Sequence, residues 1–224
     1  MPMLVPDRKE KIVELCTNKS VLHLGFIQHS HLYEKLIADK NWLHEKINIV
    51  SSNLVGIDYL GDDVDIIRAK YNYECYYGDV TKLNRLGLDK KFDVIICGEL
   101  IEHVENAGLM LDGIKKFMYP NSILIITTPN PWSRSRTKLI SDGVLEDEWL
   151  NKEHTCWYSF GTLKQLLARK GFSEFKYGYY NEKVHNDKTN ILIKKLQSLY
   201  RKVNPVKEYY ASGLFFITKM NSVD

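Results

Sequence analysis

The stretch Phe92-Asp-Val-Ile-Ile-Cys-Gly-Glu-Leu-Ile-Glu-His-Val104 runs from a nearly unbroken apolar segment into two further carboxylates and an imidazole. A short apolar run bounded by turn signals reads as a strand covered on both faces, the kind found in parallel sheets. Glu99, Glu102 and His103 stand at i, i+3 and i+4, so a helix starting near Leu100 would bring their side chains to one side of its opening turn. Open α/β sheets bind ligands just beyond the carboxyl ends of their strands. These three side chains are therefore the first candidates for metal binding or proton transfer.

The same alternation repeats on either side. A helix is expected over Arg8–Cys16, a buried strand over 20–25 that ends at a glycine turn, and a helix over about 31–38. Asn53–Asp58 reads as a second strand ending in a carboxylate, 62–70 as a helix, and 73–77 as a third strand followed by Gly78-Asp79. The fourth strand covers 92–97 and its helix 107–118, and the fifth strand covers 122–128, stopped by Pro129-Asn-Pro131. A helix over 161–169 ends at Gly171, and strands are expected over Phe172–Tyr180 and 212–218. Alternating strands and helices specify crossover units and an α/β, doubly wound, mainly parallel sheet with helices on both faces.

Two segments interrupt the alternation. Residues 132–158 turn polar and aromatic, with Arg134, Arg136 and Glu146-Asp-Glu148, as in a lid-like excursion over a site. Residues 186–204 read as a helical insertion with Ile191, Leu192, Leu196, Leu199, Tyr200 and Val203 on one face. Its lysines and Arg201 fall largely off that face, and the apolar side is expected to dock on its own domain. The whole chain, 1–224, is read as one domain.

Composition narrows the function classes. With 224 residues and 44% hydrophobic content the chain can bury a sizeable core, which excludes a disordered protein. A net charge of +3, from 31 basic and 28 acidic residues, does not demand nucleic acid. Cys16, Cys75, Cys97 and Cys156 are scattered without a Cys-x-x-Cys pair, pointing to reduced thiols and a reducing compartment. No leader-like segment or membrane span is read, so a soluble, cytoplasmic protein is expected. Its oligomeric state, homo-oligomer included, stays open.

The ordered set Val21-Leu-His-Leu-Gly25, Val55-Gly-Ile-Asp58, Gly78-Asp79, Phe92 to Glu99 and Ile125-Ile-Thr-Thr-Pro-Asn130 resembles class I S-adenosylmethionine-dependent methyltransferases. The later run Glu153-His-Thr-Cys-Trp-Tyr-Ser-Phe-Gly-Thr-Leu163 resembles the segment before the last helix of small-molecule and glycan O-methyltransferases. The resemblance implies a Rossmann-like seven-stranded sheet of order 3-2-1-4-5-7-6 with the last strand antiparallel, and S-adenosyl-L-methionine as cofactor. It assigns Asp58 to the ribose hydroxyls and Asp79 to the adenine amine, with Tyr59 and Val80 alongside. It also places His23, Gly25, Phe26, His29, Gly98 and Glu99 around the cofactor. A helix cap or turn is the structural alternative for either aspartate. Relatives usually carry Gly-x-Gly-x-Gly in the first loop, but here Ile27 and His29 stand where the later glycines would be, which implies a differently shaped loop.

Methyl transfer to a hydroxyl needs in-line approach and loss of a proton. Two routes fit these residues. In one, His103 or His154 is the general base, oriented by Glu99 or Glu102. In the other, Glu99, Glu102, His103 and His154 hold a divalent Mg²⁺ or Mn²⁺. Glu-x-x-Glu-His with a later histidine resembles the metal site of small-RNA 3′-terminal 2′-O-methyltransferases, and part of it resembles ubiquinone-biosynthesis O-methyltransferases. In metal-free relatives the histidine packs beneath the cofactor. Trp157 and Tyr158 are either lid packing or a platform for a sugar ring. The expected activity is O-methylation of a sugar, a glycan terminus or another small polyol. RNA ribose 2′-O-methylation and a non-catalytic cofactor-binding module are the alternatives.

Overall fold

The computed structural model describes residues 2–181 and 211–221. Among them eight strands form one sheet: β1 (Met3–Leu4), β2 (Ser20–Leu24), β3 (Asn53–Asp58), β4 (Cys75–Tyr77), β5 (Phe92–Gly98), β6 (Met118–Pro129), β7 (Phe172–Tyr180) and β8 (Gly213–Met220). Their order is β1-β7-β8-β6-β5-β2-β3-β4. Counted from β2, this is the expected 3-2-1-4-5-7-6 arrangement, and β8 runs antiparallel to both its neighbours. The two-residue β1, which the sequence reading did not include, adds an eighth strand parallel to β7.

Among the described residues seven α-helices accompany the sheet: α1 (Arg8–Cys16), α2 (Tyr33–Ala38), α3 (Leu43–Val50), α4 (Gly61–Tyr71), α5 (Ala107–Ile114), α6 (Arg134–Ser141) and α7 (Phe160–Arg169). The sequence reading missed α3. Its Leu43 and Ile47 stand at i and i+4 and both are buried, but no side chain caps its start at Trp42. The expected helix over 107–118 is shorter. It stops at Ile114, a 3₁₀ turn follows, and β6 already begins at Met118.

Strand alternation divides the core between two faces. Leu22, Leu24, Val55, Ile57, Ile95, Cys97, Leu124 and Ile126 pack with α5 and α7. Val21, Leu54, Val94, Ile96 and Ile125 pack against Ile12 of α1 and Leu43 and Ile47 of α3. Covering on both faces explains why β5 reads as a continuous apolar run. The helical insertion expected over 186–204 lies outside the described residues.

One contact ties the core to the first loop. A Cβ at Gly56, in the middle of β3, would stand 2.8 Å from the ring of the fully buried Phe26. Gly56→Ala is therefore expected to destabilise the fold by about 1–3 kcal/mol through overpacking, seen as a lower denaturant midpoint. An unchanged midpoint would show that the Phe26 ring can move aside.

Candidate active site

The loop after β2 is built with one glycine, Gly25. Gly25 has φ +66°, and a Cβ there would meet Leu100 at 3.1 Å, so the position calls for glycine on two grounds. Phe26 turns inward, its ring 4.5 Å from that of His44, while the Trp42 indole donates to the Phe26 carbonyl at 3.1 Å. Gln28 takes the next left-handed position, with φ +70°. Loop shape is thus held by buried side chains rather than by further glycines. His23 and Phe26, expected at the cofactor, lie beneath the loop and are only 2% and 0% exposed, while His29 is at the surface. His23 Nδ1 lies 3.2 Å from His44 Nδ1. Burial lowers both imidazoles, His23 to about 3 with the Arg8 charge adding to the effect.

Asp58 closes the loop from the next strand. Its Oδ2 accepts from the Ile27 N–H at 3.0 Å and its Oδ1 from the Leu60 N–H at 3.2 Å. Burial raises its pKa, opposed by these main-chain donors. Tyr59 beside it is 66% exposed and free to face a ligand. Asp79, past the end of β4, caps a 3₁₀ turn: it accepts from the Thr81 N–H and hydroxyl at 2.8 and 2.7 Å and pairs with Lys82 at 2.8 Å. Lys82 and Thr81 hold its carboxyl down to about 2. Val80, half-buried, follows it into the turn.

No α-helix starts at Leu100. Glu99 is left-handed, with φ +51°, and Ile101–His103 form a single 3₁₀ turn, so the helical spacing expected for Glu99, Glu102 and His103 does not arise. Glu99 turns toward the far edge instead, accepting from the Tyr180 hydroxyl at 2.5 Å, with Arg8 Nη1 3.9 Å away. The Glu99 N–H donates to the Thr127 carbonyl at 2.9 Å, and Gly98 before it packs beside the Thr127 hydroxyl.

Glu102 and His103 meet His154 of the excursion. Ligand atoms of these three residues all lie within 4.8 Å of one another, and the two imidazole rings are edge-on at 4.7 Å. Three donors on a single carbonyl fix this approach: the Thr155 N–H at 2.8 Å, the Cys156 N–H at 3.2 Å and the Thr155 hydroxyl at 3.1 Å all reach Glu102 O. Glu102 is 1% exposed, yet neither carboxylate oxygen has a hydrogen-bond partner, and neither does His154 Nδ1. Burial, then the Glu99 charge, pushes the Glu102 carboxyl up to about 8. Burial also lowers His103 and His154, which favours the neutral imidazole that a cation or a proton acceptor needs. Glu153 Oε2 stands 3.8 Å from His103 Nδ1.

An unpaired buried carboxylate is costly, and oxygen and imidazole donors converging with it suit a hard or borderline divalent cation. The residues present fit such an ion. Arg8, Tyr180, Thr155 and Glu153 join the site only through tertiary contacts. Sequence reading gave the first two merely as helix and strand residues, and only the neighbourhood of His154 hinted at the others.

Fold and site together define the class: the protein has the architecture of the class I S-adenosylmethionine-dependent methyltransferases. The methyltransferase-domain family matches residues 26–174, well over half of the chain, and the protein belongs to it. A ubiquinone biosynthesis O-methyltransferase of Azorhizobium caulinodans is 26% identical over 139 residues, covering 60% of this chain and 54% of that protein. One of Rickettsia bellii is 37% identical over 81 residues, covering 35% of this chain and 33% of that protein. The chain thus spans about half the length of the first relative and a third of the second. Among solved structures, an S-adenosylmethionine-dependent methyltransferase from Archaeoglobus fulgidus superposes with TM-score 0.58 at 19% identity, over 95% of this chain and 91% of that one. Another from Mesorhizobium loti gives TM-score 0.54 at 15% identity, over 93% and 96%. No helix among the described residues is long and apolar enough to cross a membrane.

Proposed function

We propose that the protein transfers a methyl group from S-adenosylmethionine to a hydroxyl of a small acceptor that carries a second hydroxyl beside it, such as a sugar or another polyol. Glu102, His103 and His154 would hold the divalent cation. The observation that carries this reading is the buried, unpaired Glu102 carboxylate with two imidazoles in ligand range. The base route asks a glutamate to orient an imidazole, but neither Glu102 oxygen is hydrogen-bonded to one, Glu99 accepts from Tyr180 instead, and Glu153 stands 3.8 Å from His103 Nδ1, beyond hydrogen-bond reach. The O-methyltransferase names of the curated relatives favour an oxygen acceptor.

When bound, S-adenosylmethionine would supply a methyl on sulfonium; the acceptor oxygen would take it, the sulfur would leave as a thioether, and the hydroxyl proton would pass to water. Glu102, His103 and His154 would hold a divalent ion that would lower the pKa of that hydroxyl and orient the adjacent pair. Asp58 would accept from the ribose hydroxyls, with Tyr59 beside the base, and Asp79 and Val80 would meet the adenine edge. Gly25 and Gly98 let the backbone come close, and Glu99, braced by Tyr180 and Arg8, borders the methionine end together with His29.

The test uses labelled S-adenosylmethionine with catechol and methyl glucoside as acceptors. Complete chelation with EDTA should lower methyl transfer by about 100-fold or more, and Mn²⁺ should restore it. Undiminished transfer after chelation would remove the cation from the mechanism.

A further inference from the structure

The excursion carries a cation that the reaction just described does not use. Arg136 of α6 is half-buried, and its Nη1 donates to two main-chain carbonyls, Asn130 at 2.5 Å and Ser212 at 3.4 Å. Its guanidinium lies over the Trp157 ring, 4.7 Å from the centroid. Trp157 is itself fixed, because its indole N–H donates to Glu146 at 2.6 Å. Among the described residues no carboxylate forms an ion pair with Arg136. Glu99 and Glu102 act on its charge from a distance without pairing with it, while carbonyls and an indole face hold the guanidinium in place, and such planar groups present a fork of donors suited to carboxylate or phosphate.

Its position is as informative as its chemistry. The Trp157 ring is 5.7 Å from the His154 ring, which is 4.7 Å from the His103 ring. Arg136 is therefore one aromatic ring away from the trio, at the lid side of the place assigned to the reacting hydroxyl. We infer that Arg136, backed by Trp157, is a specificity residue that receives an anionic oxygen group, carboxylate or phosphate, on the acceptor itself. This inference rests on the trio being the acceptor site. It narrows the acceptor class from small diols to diols that carry an acid group on the lid side.

Binding tests it without turnover. Protein saturated with the demethylated cofactor and Mn²⁺ is titrated calorimetrically with 3,4-dihydroxybenzoate, 3,4-dihydroxybenzylphosphonate and the neutral 3,4-dihydroxybenzamide. The wild-type protein should bind at least one anionic probe about 10- to 100-fold more tightly than the amide, and the better of the two identifies the group. Arg136→Gln should bring anionic and neutral probes to within about twofold of each other. Equal wild-type affinities, absence of binding by all three, or a preference that survives in Arg136→Gln would overturn the inference. Should the Gln variant not fold, Arg136→Lys keeps the charge but not the fork, so the preference should shrink, and an undiminished preference there would also overturn the inference. A merely structural Arg136 would weaken all probes alike. Methyl transfer to none of them, with the anionic preference present, counts against the proposed reaction and not against Arg136. Transfer with no preference counts against Arg136 alone.

Discussion

Glu102→Gln is expected to lower methyl transfer by about 10²- to 10⁴-fold and, in cation-free protein at pH 8, to raise the melting temperature. Both effects follow from a buried carboxylate without a well-formed hydrogen bond, on which its own N–H, the Thr128 hydroxyl and the Arg8 charge act too weakly to offset burial. Its pKa rises from the ordinary 4.5 to about 8 in the folded state, so the folded protein holds a proton that the unfolded chain has released. The Glu102 contribution to stability must then fall as pH rises from about 4.5 to about 8, with no penalty below that window and the full penalty above it, while the buried His23 and His44, whose pKa values are lowered, contribute with the opposite sign up to the ordinary histidine range. The difference across the window is on the order of a few kcal/mol. Gln carries no such proton, so the stability difference between variant and wild type should grow in favour of Gln across this window. Thermal melts of both proteins in EDTA between pH 5 and 8.5 measure this, and a difference that does not change with pH would contradict the burial argument. Saturating Mn²⁺ should reverse the order of the two proteins, because the ion stabilises only a folded state that can bind it.

Asp58→Ala should weaken S-adenosylmethionine binding by about 10- to 100-fold and also loosen the first loop. In the wild-type fold Asp58 Oδ2 accepts from the N–H of Ile27, a residue with no exposed surface, so removing the carboxylate leaves a buried donor unpaired. That loss costs about 1–3 kcal/mol of stability. Asp58→Asn separates the two roles. Its amide oxygen can still accept from Ile27 and recover most of the stability, while the lost charge and second acceptor keep the cofactor affinity low. Calorimetry for affinity and denaturant unfolding for stability make the comparison. If Asn restores both, or if Ala leaves affinity unchanged, Asp58 is a loop brace and not a ribose partner.

Much of this was legible in one dimension because the relevant physics is periodic or local. Arg8–Cys16, Asn53–Asp58 and Phe172–Tyr180 were read with the bounds the structure gives, since apolar spacing and turn residues mark where burial starts and stops. The sheet order came with the resemblance, not with periodicity, which cannot say which strand lies beside which. α3 was missed because eight residues without a side-chain cap leave a weak signal. The short β1 exists only because β7 offers it an edge.

The site divides in the same way. The strand pattern places Asp58, Asp79 and the Glu99–His103 run at strand ends, because a doubly wound sheet puts the carboxyl ends of its parallel strands on one side. The resemblance adds His154 as a partner for that run. Folding in three dimensions draws Glu99 off to Tyr180 and Arg8, with a left-handed residue and a 3₁₀ turn where a helix is expected. It alone sealed Phe26 and His23 beneath the first loop, and it brought Arg136 and Trp157 up to the trio. Range separates the two: helix and strand patterns are fixed by neighbours in the chain, whereas pairing, burial and the desolvation of Glu102 depend on contacts between residues tens of positions apart.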